Sequence, residues 1–223
     1  MKPISVASDA RPLAFTSALT FAEFLTVSPI YRTLIRQRAA EVRLPAQDQD
    51  YFAHYPDMTY FIVLVTPDDP DTAAVLPILV AIAEASPRFE LRILCDEDDL
   101  TLLDALVDDL DLIDGVDELD LPLLIVLDEE WAYQARWGPR PASADAYVDA
   151  WLERHPEYER LADEEADEDQ EAYAALLEKL TYEMRVWYNT SLNDDCIHEI
   201  RTLLTRLQKD GDEQDAEEKQ ARR

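Results

Sequence analysis

Tyr60–Ser86 reads YFIVLVTPDDPDTAAVLPILVAIAEAS, and how this stretch divides decides the fold. Its first six residues, 60–65, form a β-branched and aromatic run with no polar break, the pattern of a short strand buried on both faces. A helix follows. Asp69 is placed to cap it, Pro70 suits its first position, and Asp71 and Thr72 fall in its first turn. Carboxylates there face the positive end of the helix macrodipole. Pro77 lies inside the helix and predicts a kink, because proline donates no hydrogen bond and its ring crowds the carbonyl four residues back.

Working outward, FELRILC (89–95) and LPLLIVLD (121–128) repeat the buried-strand pattern, with Pro122 heading the second. Between them DEDDLTLLDALVDD reads as a capped helix, and Gly115 opens a turn. DEEWAYQARWG supplies the partner strand of a hairpin that turns around Asp128–Glu130. PASADAYVDAWLERHP is a helix packed by Tyr147, Val148 and Trp151, and ADEEADEDQE (162–171) is an acidic connector or an exposed first turn. AYAALLEKLTYEMRVWYN and CIHEIRTLLTRLQ are the final helices, and a frayed tail is expected after Lys209. Before the central stretch, residues 13–42 read as one or two amphipathic helices broken near Ser28-Pro29. Phe21, Phe24, Leu25, Ile30, Leu34 and Ile35 recur at helical spacing there, and LPAQDQDYFAHYPDM reads as turn-rich. Strands alternating with helices, then a hairpin and a helix, indicate an α/β layered domain.

The charge balance limits partners. With 49 acidic against 20 basic residues the formal charge is −29, which repels phosphate backbones and anionic headgroups, so neither nucleic acid nor a bare membrane is an expected partner. Such a surface suits either a basic partner or solubility in a salty medium. Only four basic residues are lysine (Lys2, Lys179, Lys209, Lys219), which fits the second. The start MKPISVASDARPL has no apolar signal region, and no uninterrupted apolar run is long enough to cross a membrane. A reducing cytoplasm is the expected compartment. Two cysteines, Cys95 and Cys196, offer no disulfide framework.

The order of elements, a proline-kinked helix after the first buried strand and a proline heading the later one, resembles the thioredoxin superfamily. More closely it is similar to a bacterial thioredoxin-like family that carries Trp-Cys-Gly-Asp-Cys before the kinked helix. The resemblance rests on LPILVAIAEASPRFELRIL (76–94), LPLLIVLD, ARWGPRP (135–141) and LLEKLTYEMRVWYN (176–189), and spans about residues 55–208. Trp137, Gly138, Pro139, Arg140 and Pro141 are its most specific part. It implies a thioredoxin-like fold with N-terminal helices (1–50), a core domain (51–158), a C-terminal helical extension (159–209) and a disordered tail (210–223). The extension is expected to pack back on the domain, since its aromatics would otherwise leave a large exposed apolar patch.

Counting back from Pro77 at that family's spacing puts Thr72 at the second cysteine position, Asp69 at the first and Asp68 at the tryptophan. DDPDT therefore stands where Trp-Cys-x-x-Cys would stand. Disulfide exchange needs a thiolate and a resolving thiol. An aspartate at the helix start feels the same dipole but forms no mixed disulfide. The expectation is a degenerate site and a non-catalytic module that binds a protein or peptide. The resemblance assigns Leu121 and Pro122, the loop before a cis-proline, to that binding, although residues 115–121 depart from the family in being acidic.

The other candidates read more plainly. Cys95 ends a strand, where a small thiol packs. Cys196 opens a helix among Asp194, Asp195 and His198; the two carboxylates oppose a thiolate, and the spacing matches no standard zinc pattern, so a cap and surface role is expected. Asp68, Asp69 and Asp71 lack the glycine and distal glutamate of a calcium loop. His54 and His155 read as surface residues, and the isolated Gly115, Gly138 and Gly211 form no phosphate loop. Tyr182, Met184, Val186, Trp187 and Tyr188 read as core or docking surface. No cofactor or metal is expected. Two alternatives remain: a thiol oxidoreductase using Cys95 or Cys196, and a structural subunit of a larger assembly.

Overall fold

The computed structural model describes residues 10–27, 30–95, 120–163 and 170–221. The helix expected over DEDDLTLLDALVDD, the turn at Gly115 and the break at Ser28-Pro29 lie outside them.

Four strands form one mixed sheet in the order β2-β1-β3-β4. β1 (Thr59–Val65) and β2 (Phe89–Cys95) run parallel, from Thr59 opposite Phe89 to Val65 opposite Cys95. Parallel neighbours need a crossover, and α5 (Pro70–Glu84) supplies it. β3 (Leu123–Leu127) is antiparallel to β1, and β4 (Tyr133–Trp137) closes a hairpin with it. Side chains alternate across β1. Phe61, Val63 and Val65 join the core beneath α5, while Ile62 and Leu64 face a second core with Ala14 and Phe15 of α1 (Ala10–Ser17) and Ala18 just after it. All five are fully buried, which is why the run reads as continuously apolar.

The N-terminal region departs from the expected one or two helices. α1 ends at Ser17, and Leu19 leaves the helix to exchange backbone hydrogen bonds with Ile93 on β2, at 2.9 and 2.8 Å. α2 (Phe21–Val27) then starts with a capping box: the Thr20 amide donates to Glu23 Oε2 at 2.9 Å, and the Glu23 amide donates to Thr20 Oγ1 at 3.3 Å. α3 (Arg32–Glu41) follows. Phe24, Leu25 and Ile35 are buried as the spacing predicts, but Ile30 is 70% exposed. The segment read as turn-rich contains α4 (Ala46–Ala53), which holds Phe52 in the core.

After the sheet, α6 (Asp145–Arg154) buries Trp151 and leaves Tyr147 exposed. α7 (Glu157–Asp163) and α8 (Gln170–Trp187) lead through a π-helical turn, Tyr188–Leu192, into α9 (Asn193–Ala221). α8 and α9 pack against α5, placing Met184, Tyr188, Leu192 and Ile197 in the main core. Tyr182 and Val186 stay exposed on the outer face of α8. α9 continues as helix through the stretch after Lys209, where the sequence suggests a frayed tail. Among the described residues no helix is long and apolar enough to cross a membrane.

Candidate functional site

The start of α5 is built as its sequence indicates. Asp69 adopts an extended backbone, and its Oδ1 accepts a hydrogen bond from the Thr72 amide at 2.9 Å, with Pro70 at the first helical position. Asp68, exposed, accepts from the Ile30 amide at 3.3 Å. Thr72 is fully buried and its hydroxyl has no partner. Pro77 sits within the helix. Pro77 withholds the N–H that the Ala73 carbonyl would otherwise accept, and Arg38 of α3 donates to the adjacent Ala74 carbonyl at 3.0 Å.

Two loops approach this helix start. The Leu121–Pro122 bond is cis; Pro122 is buried and Leu121 half-buried. The Gly138–Pro139 bond is also cis, and Gly138 has φ +135°. A Cβ at Gly138 would lie 2.3 Å from the Pro122 carbonyl oxygen, so only glycine lets the WGPRP loop close on the proline. α9 holds the loop from the other side. Trp137 Nε1 donates to Glu199 Oε2 at 2.7 Å, the Ala142 amide to Glu199 Oε1 at 2.9 Å, and Ser143 Oγ to Asp195 Oδ2 at 2.6 Å. Pro141 caps the short 3₁₀ turn that enters α6. Arg140 reaches back to the helix start: its Nη1 lies 3.2 Å from Asp71 Oδ2 and its Nε 3.6 Å from Asp145 Oδ1. A groove of about 600 Å³ runs along this loop, between Asp120, Leu123, Trp137, Arg140, Asp145 and Glu199.

Asp71 is the unusual group. Burial pushes its carboxyl up to about 7; Arg140 pulls it down, and Asp69, Asp145 and Asp120 push it further up. Its Oδ1 is buried with no hydrogen-bond partner. Contacts thus join the α5 start to the WGPRP loop through Asp71 and Arg140, and that loop to Pro122 through Gly138. The structure adds Asp71 and Glu199, which sequence reasoning missed as site residues. Asp71 carried a signal, being an acid in the first turn of a helix whose family start is chemically active. Glu199 carried none.

The cysteines lie elsewhere. Both are buried and neither is in a disulfide. Cys95 ends β2 in the main core. Cys196 corrects the surface reading: it is fully buried in the first turn of α9. Burial, then Glu199, pushes its thiol well above the ordinary range, with Arg38 opposing, so the thiolate that exchange chemistry needs is disfavoured. Asp194 and His198 point to solvent while Cys196 faces inward, because residues this close on a helix radiate at about 100° steps. No group of three potential metal ligands occurs among the described residues. His54 is exposed on Asp50, whereas His155 is half-buried against the Trp151 ring at 4.5 Å.

A family model described as thioredoxin matches residues 18–152. Among solved structures, the chain is similar to an HIV epitope scaffold, with 18% identity over 87% of this chain and 96% of that one, at a TM-score of 0.54. It is equally similar to a protein of unknown function from Pseudomonas aeruginosa, with 17% identity over 86% and 95%, at a TM-score of 0.55. These identities speak for the fold alone. No curated protein matches the chain.

Proposed function

The chain belongs to the thioredoxin family, and from that premise we propose that it is a non-catalytic member, a module that binds an extended protein or peptide segment instead of exchanging disulfides. One observation carries the reading. The helix start that would hold the dithiol is closed by Asp69 capping the Thr72 amide, and both cysteines are buried elsewhere. The groove beside the WGPRP loop and half-buried Leu121 offer backbone and apolar surface to an extended segment. The acidic surface favours a segment that is not itself acidic. A cytoplasmic setting is part of the same proposal.

Insulin reduction by the full chain in the presence of dithiothreitol tests it. The expected rate equals that of dithiothreitol alone, and Ellman's reagent should reach both thiols only after urea unfolds the chain. Reinstalling sulfur with Asp69→Cys and Thr72→Cys together should create turnover, since the helix start would lower the first thiol's pKa. Turnover by the unaltered chain that Cys196→Ser abolishes would overturn the reading in favour of a thiol oxidoreductase. For binding, reduced and carbamidomethylated lysozyme, an unfolded basic chain, is the probe. It should shift the amide resonances of Leu121 and Gly138, and unmoved resonances at millimolar probe would count against the groove.

A further inference from the structure

One contact beside the groove plays no part in the binding proposal, the pair between Asp71 and Arg140. We propose that the contact between Asp71 and Arg140 is a proton-operated latch: it ties the WGPRP loop to the start of α5 while the carboxylate is ionised, and lets the loop go when the carboxylate takes up a proton.

The geometry carries the argument first. Asp71 Oδ2 lies 3.2 Å from Arg140 Nη1, and this is the pair that joins the α5 start to the loop. Both side chains are mostly out of water, at 17% and 27% exposure. Asp71 Oδ1 is buried and unpaired, so ionisation rests on a single guanidinium. Every element packed around the carboxyl adds a charged or titratable group. Asp69 comes from its own helix start, Arg140 from the loop, Asp145 from the first turn of α6 and Asp120 from the segment before β3. Tyr188 faces it from the π-helical turn, with a hydroxyl that is itself buried and unpaired. One cation therefore serves a crowd of carboxylates, and the crowding falls on the most buried of them. The titration direction given above, upward to about 7 with burial as the leading cause, agrees with this arrangement.

Release has a ready destination. Arg140 Nε already lies 3.6 Å from Asp145, whose side chain is 70% exposed. When Asp71 is neutral, the guanidinium loses its inner partner and keeps an outer one, so the loop moves without stranding a buried charge. Trp137 and Gly138 directly precede the latch in the chain. The Trp137 indole bond to Glu199 and the close approach of Gly138 to Pro122 make both residues reporters of loop position. Because the same loop walls the groove, the latch would set access to it. The latch stands whether or not the groove holds a peptide.

Nuclear magnetic resonance of the full chain from about pH 5 to 9 tests the latch. The side-chain carboxyl carbon of Asp71 should titrate with a midpoint near neutral pH. The Gly138 amide and the Trp137 indole N–H should shift with the same midpoint. In Asp71→Asn both loop signals should lose that transition, and His155→Gln and His198→Gln should retain it. An Asp71 carboxyl that titrates below about pH 5 overturns the proposal, as do loop signals that keep the transition in Asp71→Asn. If Asp71→Asn does not fold, the wild-type carboxyl and loop midpoints decide alone: coincidence supports the latch and divergence overturns it.

Discussion

α5 is held at two places, and the two are held in opposite ways. At its middle, near Pro77, it meets Arg38, which is 1% exposed. Arg38 donates to the Ala74 carbonyl at 3.0 Å, to Asn193 Oδ1 at 2.8 Å and to Asn189 Oδ1, and lies 5.5 Å from the centre of the Tyr188 ring. Beside it, Glu41 is paired with Arg185 and Asn189, and its carboxyl is lowered to about 2, chiefly by the Arg185 hydrogen bond. At its start, by contrast, the Asp71 Oδ1 and Thr72 Oγ1 atoms are buried with no partner, and a single arginine opposes several acids. Tyr188 belongs to both places: its ring faces Arg38, and its unpaired hydroxyl sits in the field of Asp71. Buried polar groups are normally satisfied, and exceptions mark positions shaped by something other than stability. The middle of α5 docks the C-terminal helices, while its start remains poised.

The sharpest way to break this contrast is at the Arg38 end, where both Nη atoms are bonded although Nε is buried without a partner. Arg38→Met should destabilise the fold by about 4 kcal/mol, because three charge-assisted hydrogen bonds are lost together: one to the buried Ala74 carbonyl, and those to half-buried Asn193 and exposed Asn189. The urea midpoint measures this, and proteolysis should open α8 and α9 first. A loss under about 1 kcal/mol would show that the junction is not what holds the appendage.

The poised end should show itself through pH. Asp71 is raised in the folded chain above its ordinary 3.8 to about 7. Its contribution to stability is full below the unfolded value and falls as pH climbs toward the folded one, because the unfolded chain gives up the proton while the folded chain keeps it. The loss should level off above neutrality, having reached about 4 kcal/mol. Urea denaturation of Asp71→Asn against wild type across that range should give a difference that grows with pH in favour of the variant.

Two smaller changes sharpen the comparison from the loop and the cap. Gly138→Ala forces a Cβ against the Pro122 carbonyl at a backbone angle that side chains rarely adopt, and should cost about 2 kcal/mol in a thermal melt. Asp69→Ala removes the cap on Thr72 and should cost about 1 kcal/mol. If Asp69→Ala costs more than Gly138→Ala, the helix start is more than a capped end.

Much of the fold was legible in the chain. β1, the Asp69 cap, Pro70, the Pro77 interior position and the three later strands stand where local patterns put them, because caps, prolines and alternation act over a few residues. Some local signals were present but read past. Thr20-x-x-Glu23 is a capping box, yet the apolar spacing across it suggested a continuous helix. Pro45 followed by Asp48 begins α4 within a stretch whose polarity suggested turns. Gly211 did not end α9: helix continues on both sides, and a side chain at that position would meet open space. The acidic neighbours of Cys196 mislead because Asp194 and His198, two positions to either side on the helix, face solvent while Cys196 faces the core.

The amino-acid order alone determined that a buried parallel strand passes into a capped, kinked helix, and that this start carries no sulfur. Only the tertiary structure decided what that start touches. The Trp137–Glu199 contact joins residues 62 apart, and the Arg38–Asn193 contact joins residues 155 apart. Such pairings depend on which loops close and how helices dock, and these follow from the summed burial of the whole core, not from any short pattern. The same is true of Asp71. Its identity is a matter of sequence, but its burial, its single guanidinium partner and its unpaired oxygen exist only once the WGPRP loop and α9 have packed against the helix.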